Sequence, residues 1–243
     1  MKAKGALYLE HWSVDPAGSF LYSQNLKKTF PEISITVSCK TAGNMKTVAV
    51  REKWLNNIGL SLSSVALAYQ VHGKRVIAAD DAFKIDHHDR PKADGWVTRR
   101  ADLALGVSIA DCLPLFLFDI KNKIKGAFHV GWRGLKEGMV EEAMAAVKNI
   151  GAKKETLSAV IGPHINQCCY EVREDISGYF PSEHLMEKNN KTFLNLKSCV
   201  IDKLNEAGAS SIYASQDCTK CMPERYISYR NKDKGVMLAL VRN

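Results

Sequence analysis

The 243-residue sequence lacks several features that mark specialised classes of protein. No apolar run is long enough to cross a bilayer, and the N-terminal stretch MKAKGALYLEHWSVD lacks the apolar segment of a secretory signal. There is no internal repeat, low-complexity segment or linker. We therefore expect a single cytoplasmic domain over residues 1–243, with no membrane association.

The cysteine pattern argues against disulfide bonding. Seven cysteines, an odd number, occur in a chain long enough to fold on its hydrophobic core. Reduced thiols, with one or more as metal ligands, are expected in a cytosolic protein. The motif CTKC at 218–221 could form a second metal site or a redox pair, but we expect reduced structural thiols there. We also expect Cys168 and Cys169 to be core residues rather than ligands.

Clustered basic charge is also missing. The net charge is +8, yet lysine and arginine are scattered, and no basic block has interleaved aromatic residues. This argues against nucleic acid as a partner. A small phosphate-bearing substrate would require only a few positive groups in one cleft.

Apolar and β-branched runs predict strands at 63–71, 103–109, 114–120, 123–130, 157–162, 211–215 and 236–241. Amphipathic patterns predict helices at 48–59, 137–151 and 195–208, and glycines close all three. The short connection in DIKNKIKG predicts an antiparallel strand pair. Together these elements favour an α/β (α+β) fold with a mixed sheet.

Three polar residues interrupt the strand-like runs at or near their ends, namely His72, Cys112 and His129. Two imidazoles and one thiolate suit zinc, and three protein ligands would leave a fourth position open, as in catalytic sites. Buried core residues are the alternative interpretation. A further alternative pairs Cys112 as a nucleophile with His129 as its base.

The stretch HVGWRGLKEGM adds a candidate anion site. Gly131 and Gly134 permit a tight turn from strand to helix, and the N-terminus of a helix favours anions. Arg133 would offer a forked guanidinium to phosphate or carboxylate. The alternative is an exposed turn residue above a core tryptophan.

Several motifs recur in the same order in one family: QVHGKRV, ADGWVT, LGVSIADCLPLFLFD, HVGWRGLKEGM, IGPHINQCCYEV and the closing CT…ISYR. On these motifs the sequence resembles the YfiH-like family over roughly residues 60–243. Members of that family are called laccase-domain proteins, multicopper polyphenol oxidases or purine nucleoside phosphorylases. The resemblance implies a single-domain, layered α/β/β/α sandwich with mixed sheets.

The resemblance also implies a metal site formed by His72, Cys112 and His129, holding Zn²⁺ or, alternatively, Cu²⁺. The implied activity is phosphorolysis of adenosine, inosine and methylthioadenosine, with adenosine deamination as a further activity. The implied partners are a purine nucleoside and phosphate, for a monomer or small homo-oligomer.

Further site residues follow from the resemblance. The catalytic set is Cys112, Asp111 and Arg133, with Asp111 as a supporting carboxylate because strand alternation turns it away from Cys112. The set that binds substrate and phosphate comprises Arg51, Arg133, Arg230, Gln70 and Asn25. The N-terminal half departs from the family pattern: Lys27 replaces a glycine, and Asn44 and Val50 replace an aspartate and an asparagine.

Two other functions remain as alternatives. A copper-dependent phenol oxidase needs many histidines, whereas this sequence has seven, of which only His87 and His88 are adjacent. We disfavour that activity. The second alternative is a non-catalytic, zinc-stabilised protein that binds a nucleotide-like ligand or takes part in peptidoglycan editing.

Overall fold

The computed structural model describes residues 5–80, 83, 86–87 and 89–243, so His88 lies outside the described residues. The helices are α1 (Gln24–Thr29), α2 (Val48–Asn57), α3 (Trp132–Glu137), α4 (Met139–Asn149), α5 (Glu174–Ser177) and α6 (Leu196–Ala207). The strands are β1 (Ala6–Glu10), β2 (Ser13–Val14), β3 (Phe20–Tyr22), β4 (Ser34–Ser38), β5 (Val65–Ala66), β6 (Val76–Ala78), β7 (Gly95–Thr98), β8 (Ala104–Ile109), β9 (Leu113–Asp119), β10 (Ile124–Val130), β11 (Ser158–Ile161), β12 (Glu171–Val172), β13 (Leu185–Lys188), β14 (Lys191–Leu194), β15 (Ser211–Ser215) and β16 (Met237–Arg242).

Within the described residues, these strands form two large mixed sheets and one small sheet. The first sheet has the order β1-β15-β11-β9-β10-β7-β6, and the second has the order β2-β3-β4-β16-β8-β5. The small sheet has the order β12-β14-β13. Strands β1, β15 and β11 run parallel, whereas β9 is antiparallel to both of its neighbours.

The two large sheets pack face to face between helical layers. One hydrophobic core joins the first sheet to α4 and α6, and a second core lies between the two sheets. A third core joins the second sheet to α2. This arrangement confirms the expected layered α/β/β/α architecture.

Strand β9 shows how the sequence produces these layers. Its seven residues are all buried, and the six from Leu113 to Phe118 form a continuous apolar run. Because successive side chains point to opposite faces, Leu115 and Leu117 enter the helix-facing core. Phe116 and Phe118 enter the core between the sheets. A polar residue on either face would be desolvated.

Most predicted elements are confirmed to within one or two residues, including the antiparallel pair β9 and β10. The strand predicted at 63–71 is wrong in length, since only Val65–Ala66 pairs in a sheet as β5. The helix predicted at 137–151 begins two residues later, because Gly138 takes a left-handed conformation with φ 97° and separates α3 from α4. Among the described residues, no helix combines the length and apolar character of a membrane span.

Candidate functional site

The ends of strands from both large sheets bring together three side chains that could hold a metal ion. Cys112 lies in the short connection that carries the chain from β8 in the second sheet to β9 in the first. His129 is the penultimate residue of β10, where it pairs with Pro114. His72 lies in the loop between β5 and β6. The ligand atoms of these three residues all lie within 4.8 Å of one another.

The three side chains differ in exposure. His129 is buried, with 3% of its surface exposed, Cys112 is half-buried and His72 is exposed. The two imidazole rings meet edge to face, with their centroids 4.8 Å apart. The cluster is therefore closed on the protein side and opens to solvent at His72.

A buried carboxylate, Asp94, organises this cluster. It lies immediately before β7 and is fully buried. Its Oδ1 accepts hydrogen bonds from Nδ1 of His129 and the backbone N–H of His72, both at 2.9 Å. Its Oδ2 accepts the backbone N–H groups of Val71 and Gly73 at 3.1 and 2.9 Å. Asp94 thus fixes the His129 ring and the loop that carries His72.

The hydrogen bond to Asp94 also selects the tautomer of His129. A carboxylate accepts only, so Nδ1 carries the proton and Nε2 is left as the nitrogen that can coordinate a metal. Burial raises the pKa of Asp94, but the bonds from His129 and from the backbone of Gly73 outweigh it, and the pKa is lowered. Asp94 therefore remains ionised at neutral pH. Asp94 lies in the motif ADGWVT, although it was not among the predicted site residues.

Two residues of the site hold left-handed backbone conformations. His72 has φ 63° and Asp111 has φ 86°. Such angles are uncommon for residues other than glycine and are maintained only where the surroundings fix them. At His72, the convergence of consecutive N–H groups on Asp94 provides that constraint.

The charges around the site favour a thiolate at Cys112 beside an imidazolium at His129. Burial raises the pKa of Cys112, but the charge and hydrogen bond of His129, together with His72, outweigh it and lower the pKa to about 6. Burial lowers the pKa of His129, but Cys112 and Asp94 outweigh it and raise the pKa to about 9. A thiolate and two imidazoles are the donors that zinc prefers, so the residues present fit a bound metal.

The side chain of Asp111 bonds to Thr219 and Arg230 rather than to the three candidate metal ligands. Its Oδ1 accepts the hydroxyl hydrogen of Thr219 at 2.6 Å, and its Oδ2 accepts the backbone N–H of Arg230 at 2.8 Å. The positive φ of Asp111 supplies the turn that separates its direction from that of Cys112. Asp111 therefore holds the segment that carries Arg230.

Tyr170 lies within the electrostatic reach of both arginines and was not singled out by sequence analysis. Its ring centroid is 5.3 Å from Cζ of Arg230. Its pKa is raised, first by burial and then by the negative charges of Cys112 and Asp111, against the opposing charges of Arg230 and Arg133. The phenol is therefore protonated at neutral pH. The only signal for it in the sequence is its position in the motif CCYEV.

Arg133 and Arg230 are both exposed. The guanidinium of Arg133 stacks on the ring of Trp132, with 4.5 Å between Cζ and the ring centroid. Arg133 lies in α3, which begins directly after Gly131. A Cβ at position 131 would lie 3.2 Å from Sγ of Cys112, so this glycine brings α3 close to the metal-binding residues.

The other predicted binding residues bond to protein groups. Arg51 is buried, with 4% of its surface exposed, and donates to the carbonyl of Met45 at 2.9 Å. Gln70 pairs with the backbone of Ser108 in both directions, and Asn25 donates to Glu10. The structure thus brings together the metal triad, Asp111 and the Arg230 segment.

Comparison with solved structures supports the fold. YlmD from Geobacillus stearothermophilus matches with a TM-score of 0.86 and 22% identity, covering 96% of this chain and 100% of that chain. The YfiH protein of Bacillus licheniformis matches with a TM-score of 0.84 and 22% identity, covering 95% of this chain and 98% of that chain.

Sequence comparison identifies relatives of known name. A protein from Aquifex aeolicus named purine nucleoside phosphorylase is 34% identical over 164 residues, 67% of this chain and 77% of the relative. A protein of the same name from Rickettsia conorii is 31% identical, over 86% of this chain and 88% of the relative. Adenosine deaminase RL5, from an unknown prokaryotic organism, is 29% identical, over 71% of this chain and 72% of the relative.

The family comparison covers almost the whole chain. Residues 31–242 match the family described as multi-copper polyphenol oxidoreductase laccase. That match includes the three metal-binding residues, Asp94 and the arginines described above. The chain therefore belongs to this laccase-like family, the YfiH-like family that its motifs resemble.

Proposed function

We propose that this protein is a zinc-dependent purine nucleoside phosphorylase that acts on adenosine, inosine and methylthioadenosine, with adenosine deamination as a second activity. The observation that carries the proposal is the triad of His72, Cys112 and His129, which opens to solvent near two exposed arginines, Arg133 and Arg230. The names of the relatives from Aquifex, Rickettsia and the unknown prokaryote agree with these two activities.

Zinc would be held by Sγ of Cys112, Nε2 of His129 and a ring nitrogen of His72. Three protein ligands leave a position for a substrate atom, and the exposure of His72 gives access to it. Bound zinc would supply Lewis-acid polarisation of the substrate. Asp94 fixes the tautomer of His129. The neighbouring imidazoles lower the pKa of Cys112, so its thiolate form is available to the metal.

Zinc is proposed rather than copper because of the donor set. A multicopper oxidase requires several imidazole-rich centres, but the triad contains two imidazoles. Within the described residues, His164 is fully buried and bonded to the carbonyl of Gly162, and His184 bonds to Ser198. Neither histidine belongs to a group that could hold a metal.

Phosphate would be bound by Arg133 and Arg230. A guanidinium presents a planar set of donors that matches phosphate oxygens, and both groups are exposed to an incoming anion. Asp111 acts as a positioning residue, because its two oxygens hold Thr219 and the backbone of Arg230. Arg51, Gln70 and Asn25 bond to Met45, Ser108 and Glu10, so their role in binding substrate stays a prediction.

In phosphorolysis, a phosphate oxygen bonds to C1′ of the ribose while the C1′–N9 bond breaks and its electrons pass to the purine. The arginines would hold the attacking anion in place, which removes much of the entropic cost of the encounter. Tyr170 keeps its proton and can donate a hydrogen bond to the substrate. In deamination, water would instead add to C6 of the adenine ring, the exocyclic amino group would leave as ammonia with protons from that water, and the C6 carbonyl of inosine would form while the C1′–N9 bond stays intact.

The proposal is tested by incubating the purified, zinc-loaded protein with each nucleoside, with and without phosphate, and identifying products by chromatography. We expect free base and pentose 1-phosphate to form only when phosphate is present, and inosine to form from adenosine without it. Both reactions should be lost in Cys112→Ala and retained in Cys199→Ala, which changes a buried thiol of α6. Unchanged product formation in Cys112→Ala would contradict the proposal.

A chelator experiment separates zinc chemistry from a cysteine nucleophile. For the proposed metal site, chelation abolishes activity and added zinc restores it. If Cys112 were instead a nucleophile, the metal-free protein would be active, an alkylating agent would inactivate it and zinc would inhibit it. Oxygen consumption with a phenol and Cu²⁺, in place of nucleoside turnover, would favour the oxidase alternative.

A further inference from the structure

Four cysteines from two distant segments meet outside the site described above. Cys168 and Cys169 lie between β11 and β12, and Cys218 and Cys221 follow β15. Because β11 and β15 are parallel neighbours in the first sheet, the segments that follow them start side by side. A bridge between His164 and Cys218 continues this parallel pairing beyond the strands.

The sulfur atoms of these four residues all lie within 4.8 Å of one another. Sγ of Cys221 is 3.7 Å from Sγ of Cys168 and 3.3 Å from Sγ of Cys169. Four thiolates at about 2.3 Å from a tetrahedral zinc ion would be separated by about 3.8 Å. The cluster thus has the dimensions of a four-thiolate metal site, whereas a disulfide would need sulfurs at about 2.05 Å.

The backbone around Cys218 is arranged for a thiolate. The N–H of Asn166 donates to Sγ of Cys218 at 3.4 Å. Sγ of Cys218 also accepts hydrogen bonds from the backbone N–H groups of Lys220 and Cys221. These donors come from both segments of the cluster, and hydrogen bonds to a thiolate stabilise its negative charge.

A half-buried cation, Lys197, accompanies the cluster. The ammonium group of Lys197, in α6, donates to the carbonyl of Ser215 at 3.0 Å. Burial lowers the pKa of Lys197, and the charges of Cys168 and Cys218 oppose that shift, which places Lys197 within electrostatic reach of both sulfurs. Four thiolates around one divalent ion leave a net charge of about −2, which a neighbouring ammonium group partly neutralises.

We propose that Cys168, Cys169, Cys218 and Cys221 bind one Zn²⁺ as a structural four-thiolate site, separate from the His72–Cys112–His129 triad. Four protein ligands leave no open position, so this ion supports the fold rather than reacting. The expectation that Cys168 is a core residue is wrong, since it is exposed, and Cys169 is only partly buried. The proposed ion explains why Cys168 and Cys169 lie next to Cys218 and Cys221 rather than in the hydrophobic core.

The proposed ion would act on the neighbouring site through the chain. Tyr170 follows Cys169 directly, and Thr219, which donates to Asp111, follows Cys218. The N–H of Thr219 also donates to the carbonyl of His164. A metal ion that joins the two segments would therefore hold Tyr170 in place, together with Thr219, the hydrogen-bond partner of Asp111.

Zinc content per chain tests this site. The protein, Cys221→Ser, Cys112→Ala and the matched thiol control Cys199→Ala are purified under reducing conditions and analysed by elemental mass spectrometry. We expect Cys221→Ser to contain one zinc ion fewer than the unaltered protein, and Cys199→Ala to contain the same amount. This difference is independent of whether the triad binds zinc. Equal zinc in Cys221→Ser and the unaltered protein would overturn the proposal.

A spectroscopic measurement covers the case in which Cys221→Ser folds poorly. In Cys112→Ala the four-cysteine cluster is intact, so Co²⁺ should give the intense visible bands of a tetrahedral ion and strong sulfur-to-cobalt charge transfer. Weak bands typical of octahedral Co²⁺, without charge transfer, would overturn the site. So would a disulfide between any two of the four cysteines in zinc-supplemented protein prepared without oxygen.

Discussion

The buried carboxylate of Asp94 accepts a hydrogen bond from Nδ1 of His129 at 2.9 Å. The same oxygen accepts the backbone N–H of His72, so one carboxylate controls two of the three residues of the triad. It orients one imidazole through the ring and the other through the main chain. Support of this kind determines how well a metal site is formed before the metal arrives.

Replacing this carboxylate by an amide tests its role. In Asp94→Asn the amide NH2 group must face either the N–H donors of the 71–73 loop, which offer no acceptor, or Nδ1 of His129. Nδ1 could accept only in the tautomer that protonates Nε2, the nitrogen proposed to bind the metal. We expect zinc affinity at the triad to fall about 10- to 100-fold, with nucleoside turnover falling in parallel. Competition with a chromophoric chelator measures the affinity.

The control is Asp102→Asn, which changes an exposed carboxylate paired with Arg100 on the surface. Its zinc affinity should equal that of the unaltered protein. If Asp94→Asn also kept full affinity while remaining folded by circular dichroism, the carboxylate would have no role in the metal site.

The pair Thr219 and Asp111 provides a second prediction. Thr219 is fully buried, and its hydroxyl donates to Asp111, whose other oxygen holds Arg230. Thr219→Val keeps the shape but leaves a buried carboxylate oxygen without its donor, which should cost about 1–3 kcal/mol of stability. We expect KM for phosphate to rise severalfold while KM for the nucleoside changes less.

Thr219→Ser separates the hydroxyl from the methyl group. It keeps the donor and removes a buried methyl, so it should lose some stability yet retain the KM for phosphate. Equal phosphate kinetics in the valine and serine variants would show that the bond to Asp111 does not position Arg230.

Much of this site follows from local sequence patterns, and the rest depends on tertiary contacts. Cys112 and His129 could be identified because continuous apolar runs locate the buried strands that end beside them. The role of Asp94 could not be predicted, since its partners come from a loop more than 20 residues earlier and a strand 35 residues later. The motif ADGWVT shows an aspartate before a strand but not what surrounds it.

The same difference between local patterns and tertiary contacts explains the predictions that were wrong. The stretch 63–71 has strand-forming residues, but after Ala66 the chain leaves the second sheet. There the side chain of Gln70, rather than a strand, pairs with the backbone of Ser108. The four-cysteine cluster depends on the parallel register of β11 and β15, which no short-range pattern reveals.

A third prediction concerns acid stability. Asp119 is fully buried and accepts hydrogen bonds from Asn122, from the backbone of Lys153 and from Thr156. Burial raises the pKa of Asp119, but the bonds from Lys153, Asn122 and Thr156 outweigh it and lower the pKa. Because the folded pKa is depressed, the stabilisation is complete above the unfolded value of about 3.9 and is lost as the pH falls through the folded value.

Asp119→Asn should therefore be less stable by about 2 kcal/mol at neutral pH, with the difference shrinking below about pH 4. Urea unfolding at a series of pH values measures this. Glu155→Gln, an exposed carboxylate beside the same turn, is the control, and its stability should differ little at any pH. A constant difference between Asp119→Asn and the unaltered protein from pH 7 to pH 3 would exclude the proposed linkage.

The last prediction sets helix propensity against a steric contact. Alanine usually stabilises a helix by about 1 kcal/mol relative to glycine. At Gly134, in α3, a Cβ would lie 2.7 Å from the carbonyl oxygen of Gly73. That carbonyl cannot move freely, since the N–H of Gly73 is bonded to Asp94 and His72 precedes it. We therefore expect Gly134→Ala to destabilise the protein by about 1–3 kcal/mol and to weaken zinc binding at the triad.

Gly178→Ala is the matched control for this change. Gly178 has an ordinary φ of −59°, and an added Cβ would meet its nearest neighbour, the carbonyl of Glu174, at 3.4 Å. It should be neutral or slightly stabilising because alanine restricts the unfolded chain. Thermal unfolding and chelator competition compare the two variants. If Gly134→Ala matched Gly178→Ala in both, α3 would not hold the His72 loop in place, and the loop would depend on Asp94 alone.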